Sequence, residues 1–452
     1  MGNWFAGFQQ ATSGMNAARY GISVVGQNIA NANSDGYTRQ VVTQESTGVQ
    51  NVVGLYTRPA EDGIGGVAIT GTLRQVDTLL NARVRDEHAK SDYAATTADQ
   101  LSQIEALFPA ASDSGLSAQL NSFWSDWSTV GTNPANTAGR QVLLEHARTL
   151  AGTLNNLSSS LSDLDTSMSN YLGQDVASAN TAASQLAALN SQIGAAWGTG
   201  IDVNALADQR DVLVDKLAKL TGATTVIQNN GTASVSIGST ALVSGATTSA
   251  ITVDPAGNVS VGGAAVTLTG GSAAARVTAI QVTVPAYRSK LDAVADSLSS
   301  VVNAAQAAGY DRNGASGQPM FTGSGAAGIA VALSDGSLVA ASSTPGGNLD
   351  GSNAQAASRL GAAATGPDTA YATLVGSLGA ESAAAQNASA TQKSLATNLD
   401  AMKASVSGVS YDEEMAHMLT YQRAFEASSR ALTTLDAMLD TLINHTGRAG
   451  LA

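Results

Sequence analysis

The chain of 452 residues contains no cysteine, which removes disulfides, thiolate nucleophiles and cysteine-bound metals. Its fold must hold without covalent staples. Positive charge is scarce too: Lys and Arg total 22 against 35 Asp and Glu, a net charge of −13. With no overall positive field to hold a phosphate backbone or an anionic lipid surface, nucleic acid is an unpromising partner. Aromatic residues make up only 4 % of the chain. Small residues bury little area each, so long continuous interfaces are a more natural source of stability than compact aromatic cores. No apolar run approaches the roughly 18 residues of a membrane span, and the start lacks the basic flank and apolar core of a cleaved leader. Taken alone, these rules point to the cytosol. The length allows about three domains at roughly 150 residues each.

What the chain does have is helical periodicity at both ends. Trp4, Phe8, Ala11, Met15, Ala18, Ile22, Val25 and Ile29 follow one another at steps of three and four, the spacing of a coiled-coil seam. Turn formers at 31–36 stop it. Met418, Tyr421, Phe425, Ser428, Leu432, Leu435, Leu439 and Leu442 repeat the pattern at the other end. Ser410 and Glu413 have capping-box spacing, and Asp412, Glu413 and Glu414 suit the positive end of a helix dipole. Gly408 separates this helix from an earlier stripe running from Tyr371 to Val406, interrupted by Glu381 and Gln392.

Between the ends, the spacing predicts a helix from about 136 to 196 and another through 277–301, with a kink or a start at Pro285. Residues 222–271 carry a single charge, Asp254, and alternate at 233–237 and 259–261 between glycine-rich turns, which predicts a small β domain. The Gly-, Ser- and Ala-rich stretch 309–366 is expected to complete that domain or to form a loose part of its surface. A further β element is expected between Tyr37 and Leu73, with strands near 40–43 and 66–70. The fold class is therefore α+β with nested, discontinuous domains. Residues 1–33 and 408–452 would form a terminal coiled coil. Residues 34–221, 272–308 and 367–407 would form a helical rod bearing the hairpin, and 222–271 with 309–366 an inserted outer β domain.

Catalytic patterns are hard to find. The four histidines, His88, His146, His417 and His445, form no zinc-binding pair, and His88 and His146 read as surface residues beside Glu87 and Glu145. No nucleophile elbow and no phosphate loop occurs. The string from Asp311 to Gly314 opens like a calcium loop but has Thr322 at the twelfth position, so an ordinary turn is expected. Arg210 lies on the apolar spacing of its helix and is expected to pair with a carboxylate. These readings give no enzyme, no cofactor and no metal.

The string GQNIANANSDGYTRQ, residues 26–40, resembles the signature of the bacterial flagellar rod, hook and hook-associated axial proteins. Residues 405–443 are similar to the terminal helix of the same proteins. Three inner strings, 133–151, 202–222 and 309–321, resemble the hook-associated protein 1 family of the hook–filament junction. The resemblance implies a non-enzymatic structural adaptor. Copies would form a homo-oligomeric ring on the hook, on which a second junction hook-associated protein and then the filament assemble. It implies export through the flagellar type III channel without a cleaved signal peptide, which revises the cytosolic expectation to extracellular. A cytoplasmic export chaperone on the C-terminal helix is also implied.

On this reading the assembly interface consists of Phe8, Met15, Ile22, Val25 and Ile29 facing Phe425, Leu432, Leu435, Leu439 and Leu442, within a subunit or across neighbours. Asn28, Asn31, Asn33, Gly36 and Tyr37 are candidates for the hinge below the terminal helices. Two other readings stand beside it: a different axial protein of the hook or distal rod, and a secreted coiled-coil adhesin or binding module.

Overall fold

The computed structural model describes residues 2–47, 65–109, 115–199, 201–345 and 350–445, with the side chains of 2–6 and of His445 outside that description. Helix α1 (Gly2–Asn31) runs the length of the first seam and ends at the predicted turn formers, although the Trp4 side chain lies outside the described residues. Strands β1 (Gln40–Ser46) and β2 (Val67–Arg74) pair antiparallel, Val41 opposite Leu73, and pack along α1. The part of the expected β element at 48–64 lies outside the description.

Four helices follow: α2 (Thr78–Leu107), α3 (Leu116–Thr132), α4 (Thr137–Ala196) and α5 (Asn204–Thr221). Side chains open two of them. The Asp77 carboxylate accepts from the Leu79 and Leu80 amides at 2.9 Å, and Asn136 caps α4 in the same way. At 60 residues, α4 spans about 90 Å at 1.5 Å per residue, and it serves as the axis of the body.

Two cores are strung along that axis. Around the first half of α4, Leu143, Leu150 and Leu154 pack against Phe123 and Trp127 of α3. Around the second half, Met168, Leu172 and Leu186 pack against Val214 and Leu217 of α5 and against the β domain. Leu164 touches both cores. The β domain comprises a four-stranded sheet, β3 (Thr224–Ile227), β4 (Ala233–Ile237), β5 (Thr240–Ser244) and β6 (Thr247–Thr248). A three-stranded sheet follows, β7 (Ile251–Val253), β8 (Val259–Val261) and β9 (Ala264–Ala265). In β4 the alternation is strict: Ala233, Val235 and Ile237 point into the core.

The helix expected through 277–301 is broken only by a wide turn. Helix α6 (Gly271–Thr278) passes through one π turn (Ala279–Thr283) into α7 (Val284–Ala308), so Pro285 sits in the first turn after the bulge.

The grouping of 309–366 with 222–271 is corrected. Residues 309–366 form β10 (Phe321–Thr322), α8 (Gly325–Gly328), β11 (Ala330–Val331), a 3-10 turn and α9 (Ser352–Ala357), with 346–349 outside the described residues. Their large side chains, Met320, Phe321, Ile329 and Leu333, are spent in the first core rather than on the β sheets. The buried Arg140 of α4 fastens this stretch by donating to the Val339 carbonyl at 2.5 Å. Helices α10 (Pro367–Ser407) and α11 (Tyr411–Asp440) follow, and a π turn (Thr441–His445) continues α11. Tyr371, Leu374 and Leu378 anchor the start of α10 in the first core.

Asparagines on helices fasten the irregular parts to the rods. Asn180 and Asn190 of α4 and Asn303 of α7 each exchange two hydrogen bonds with one backbone residue, Ile251, Ala233 and Phe321 respectively. Each amide acts as a missing strand partner. Asn190 also donates to the Gly245 carbonyl at 2.9 Å. Replacing Asn190 with Ala orphans these groups at about 1–3 kcal/mol each. Asn190→Ala is therefore expected to lower unfolding stability by at least about 2 kcal/mol in urea titration, and an unchanged midpoint would contradict this packing.

Candidate assembly site at the paired terminal helices

Helices α1 and α11 lie antiparallel in one chain, and their contact is set by a seven-residue repeat of glycines. An ideal Cβ on Gly7 would lie 3.4 Å from Leu435, one on Gly14 2.9 Å from Ser428, and one on Gly21 2.5 Å from Tyr421. The next layer is Asn28, whose amide donates to Glu414 at 2.9 Å. Without Cβ atoms the two backbones come close, and neighbouring side chains are pushed to the flanks of the contact.

The expected seam runs one residue behind each layer: Phe8, Met15, Ile22 and Ile29. Val25 is buried, Met15, Ile22 and Ile29 are half-buried, and Phe8 is 40 % exposed. On α11, Phe425, Leu432, Leu435 and Leu439 are half-buried, and Leu442, in the π turn Thr441–His445 that follows α11, is 46 % exposed. The two sets do meet on one helix pair, but one partner covers only part of each. More apolar surface stays exposed at Met415 and Leu419 of α11 and at Met402 and Val406 near the end of α10.

Below the glycine layers lies a polar cluster. Asn28 makes all four hydrogen bonds its amide allows: it donates to the Gln40 carbonyl and to Glu414, and accepts from the Gln40 amide and the Tyr37 hydroxyl, all within 3.0 Å. The Arg39 guanidinium bonds Glu414 at 2.8 Å and Glu413 at 2.6 Å, while its backbone amide donates to the Ser407 carbonyl. Burial, with Asp208 and Glu414 nearby, pushes the Tyr37 hydroxyl up to about 12, so it remains a donor. Arg74 lies 2.8 Å from Asp208 and 2.6 Å from Asp211, which joins the hairpin to α5. Burial raises the Asp208 carboxyl above its ordinary value, although Arg74 and Thr38 pull the other way.

Of the expected hinge residues, Asn28 and Tyr37 enter this cluster. Asn31 serves its own loop, donating to the Gln27 carbonyl and accepting from Ser34, and Asn33 stands exposed. Gly36 has φ +76, and a Cβ there would lie 2.2 Å from Val212, so both conformation and space require glycine. Sequence reasoning missed Arg39, Gln40, Arg74, Asp208 and Glu414. The available signal was the heptad itself, since glycines at 7, 14 and 21 continue as Asn28 and mirror 435, 428, 421 and 414.

The other candidates resolve as structural. Arg210 pairs with Asp211 at 2.7 Å and donates to the Gly231 carbonyl. Asp311 accepts the amides of Asn313 and Ala315 at 2.8 Å, as in an ordinary turn. Among the histidines, His417 is exposed and His146 bonds Asp126. The expectation for His88 is corrected: it is largely covered, with its ring between Asp215 and Asp400, because α2, α5 and α10 converge there. Among the described residues, no group of three or more acidic or histidine side chains is arranged to hold a metal.

Residues 101–321 match the family described as the flagellar hook-associated protein FlgK helical domain, and residues 404–445 match the flagellar basal body rod FlgEFG protein C-terminal family. The chain is 28 % identical to flagellar hook-associated protein 1 of Bacillus subtilis, covering 100 % of both chains. It is 24 % identical to the protein of the same name from Escherichia coli, over 96 % of this chain and 98 % of that one. A solved structure of the flagellar hook junction protein FlgK from Burkholderia pseudomallei aligns with a TM-score of 0.65 at 18 % identity. It covers 73 % of this chain and 100 % of that one, and shows a shared fold.

Removing Arg74 leaves Asp208 buried without a cation, whereas Asp211 keeps Arg210. Arg74→Met is expected to cost about 3 kcal/mol at pH 7.5. The cost should shrink toward pH 5 as Asp208, already raised by burial, takes up a proton. Urea unfolding at the two pH values checks this, and a loss independent of pH would contradict it.

Proposed function

The chain belongs to the flagellar hook-associated protein 1 family, and on that premise we propose that it is a structural adaptor whose α1 and α11 build a ring of copies on the hook. The observation that carries this reading is the incomplete burial of the terminal seams. Glycine layers close one side of the pair, while Phe8 and, on α11, Met415 and Leu419 stay open to a neighbour. Contacts between different faces of successive copies are heterologous and generate rings or tubes. The flagellum is this family's place, and the adaptor role needs no catalytic group.

The finer parts of the proposal follow the same physics. Phe8, Met15, Ile22, Val25 and Ile29 with Phe425, Leu432, Leu435, Leu439 and Leu442 form the assembly interface. Asn28, Asn31, Asn33, Gly36 and Tyr37 form the joint that sets the angle between this interface and the helical body. The hook protein lies on one side of the ring and a second junction hook-associated protein on the other. Before assembly, a cytoplasmic export chaperone covers the apolar stripe of α11, a stripe that would otherwise favour aggregation. A chain without cysteine suits passage through the type III channel unfolded.

Cells lacking the chain are expected to carry hooks without filaments under the electron microscope, and missing hooks would contradict the assignment. In the same assay, Gly21→Val should block filament growth because its side chain enters the Tyr421 ring. Gly26→Ala, with nothing within 4 Å, should support normal filaments. Equal behaviour of the two variants would refute the glycine-layer interface.

A further inference from the structure

His88 of α2 stands between carboxylates carried by two other helices. Its Nδ1 lies 2.7 Å from Asp215 of α5, and its Nε2 lies 3.1 Å from both oxygens of Asp400 of α10. Only an imidazolium has a proton for each contact; a neutral ring donates one and turns a lone pair toward the other carboxylate. Asp400 lies about two turns before Ser407, the residue whose carbonyl takes the Arg39 amide at the foot of the terminal pair. We propose that His88 is a pH-operated latch that holds the end of α10 against α2 and α5 when protonated and releases it when neutral.

The surroundings decide which bond survives deprotonation. Asp215 also holds Lys219 at 2.8 Å and makes the shorter contact, so the remaining proton stays on Nδ1 and the Nε2 lone pair faces Asp400. On α2 itself, Asp92 lies one turn further on and favours the imidazolium. From α5, Lys219 opposes it, and Asp211 is committed to Arg74 and Arg210. Asp35, Lys216 and Lys403 border the same cavity of about 500 Å³.

The Asp215 hydrogen bond holds His88 above the ordinary imidazole value in spite of burial. Burial works to raise Asp215, but its bonds to His88 and Lys219 outweigh it and keep that carboxyl below its usual range. The latch is thus complete below about pH 6.5, the unfolded histidine value, and is lost as pH rises through the higher folded value.

Histidine NMR on the full chain, with amide exchange corrected for its intrinsic pH dependence, tests this. His88 should titrate above the ordinary value, and protection of amides 400–407 should fall about tenfold across that titration. Asp400→Asn, at a half-exposed position that leaves the Asp215 pair intact, should remove the step because an amide can meet either ring state. Protection that stays flat through the wild-type His88 titration, or a step that survives in Asp400→Asn, would overturn the latch.

Discussion

The four hydrogen bonds of the Asn28 amide are the constraint on which the rest of the molecule hangs. They tie α1 to β1 through both backbone groups of Gln40, to the following loop through Tyr37, and to α11 through Glu414. A buried amide with every site filled has one favourable geometry, and each orphaned group costs about 1–3 kcal/mol. Arg39 satisfies the same Glu414 from the other side and so closes the ring of contacts. The direction in which the terminal pair leaves the body follows from this cluster.

Small residues then explain how so few aromatic rings support so long a molecule. On α1, glycines let α11 approach closely; on α4, alanines such as Ala147, Ala179 and Ala183 are fully covered along the rod. Bulky packing is concentrated where Phe123, Trp124, Trp127 and Phe321 meet. Among the described residues the terminal pair has no such cluster. Its burial depends on contact length, and the contact available within one chain covers only part of each seam.

Periodicity made the helices legible, because a three-and-four spacing is a local signal that survives without knowledge of partners. The end at Asn31, the 60-residue α4 and the β character of 222–271 could all be read that way. Polar interruptions were harder. Glu381 breaks the α10 stripe because it accepts the Tyr287 hydroxyl at 2.6 Å, a contact that no spacing rule contains. The placement of 309–366 and the covering of His88 also depended on distant helices. At the terminal site, the seam residues were visible but the glycines beside them were not, because absence of a side chain carries no hydropathy signal. Glu414 looked like a dipole-matching acid and is instead the buried partner of Asn28 and Arg39.

The account's central claim is that the terminal seams are completed by other copies of the chain. Hydrogen exchange over residues 8–31 and 411–440, compared between the free full chain and the chain assembled on hooks, reads this directly. The account predicts fast exchange in the free chain relative to the amides of α4, and strong protection of both segments after assembly. Equal protection of the two segments in the free and assembled states would contradict it.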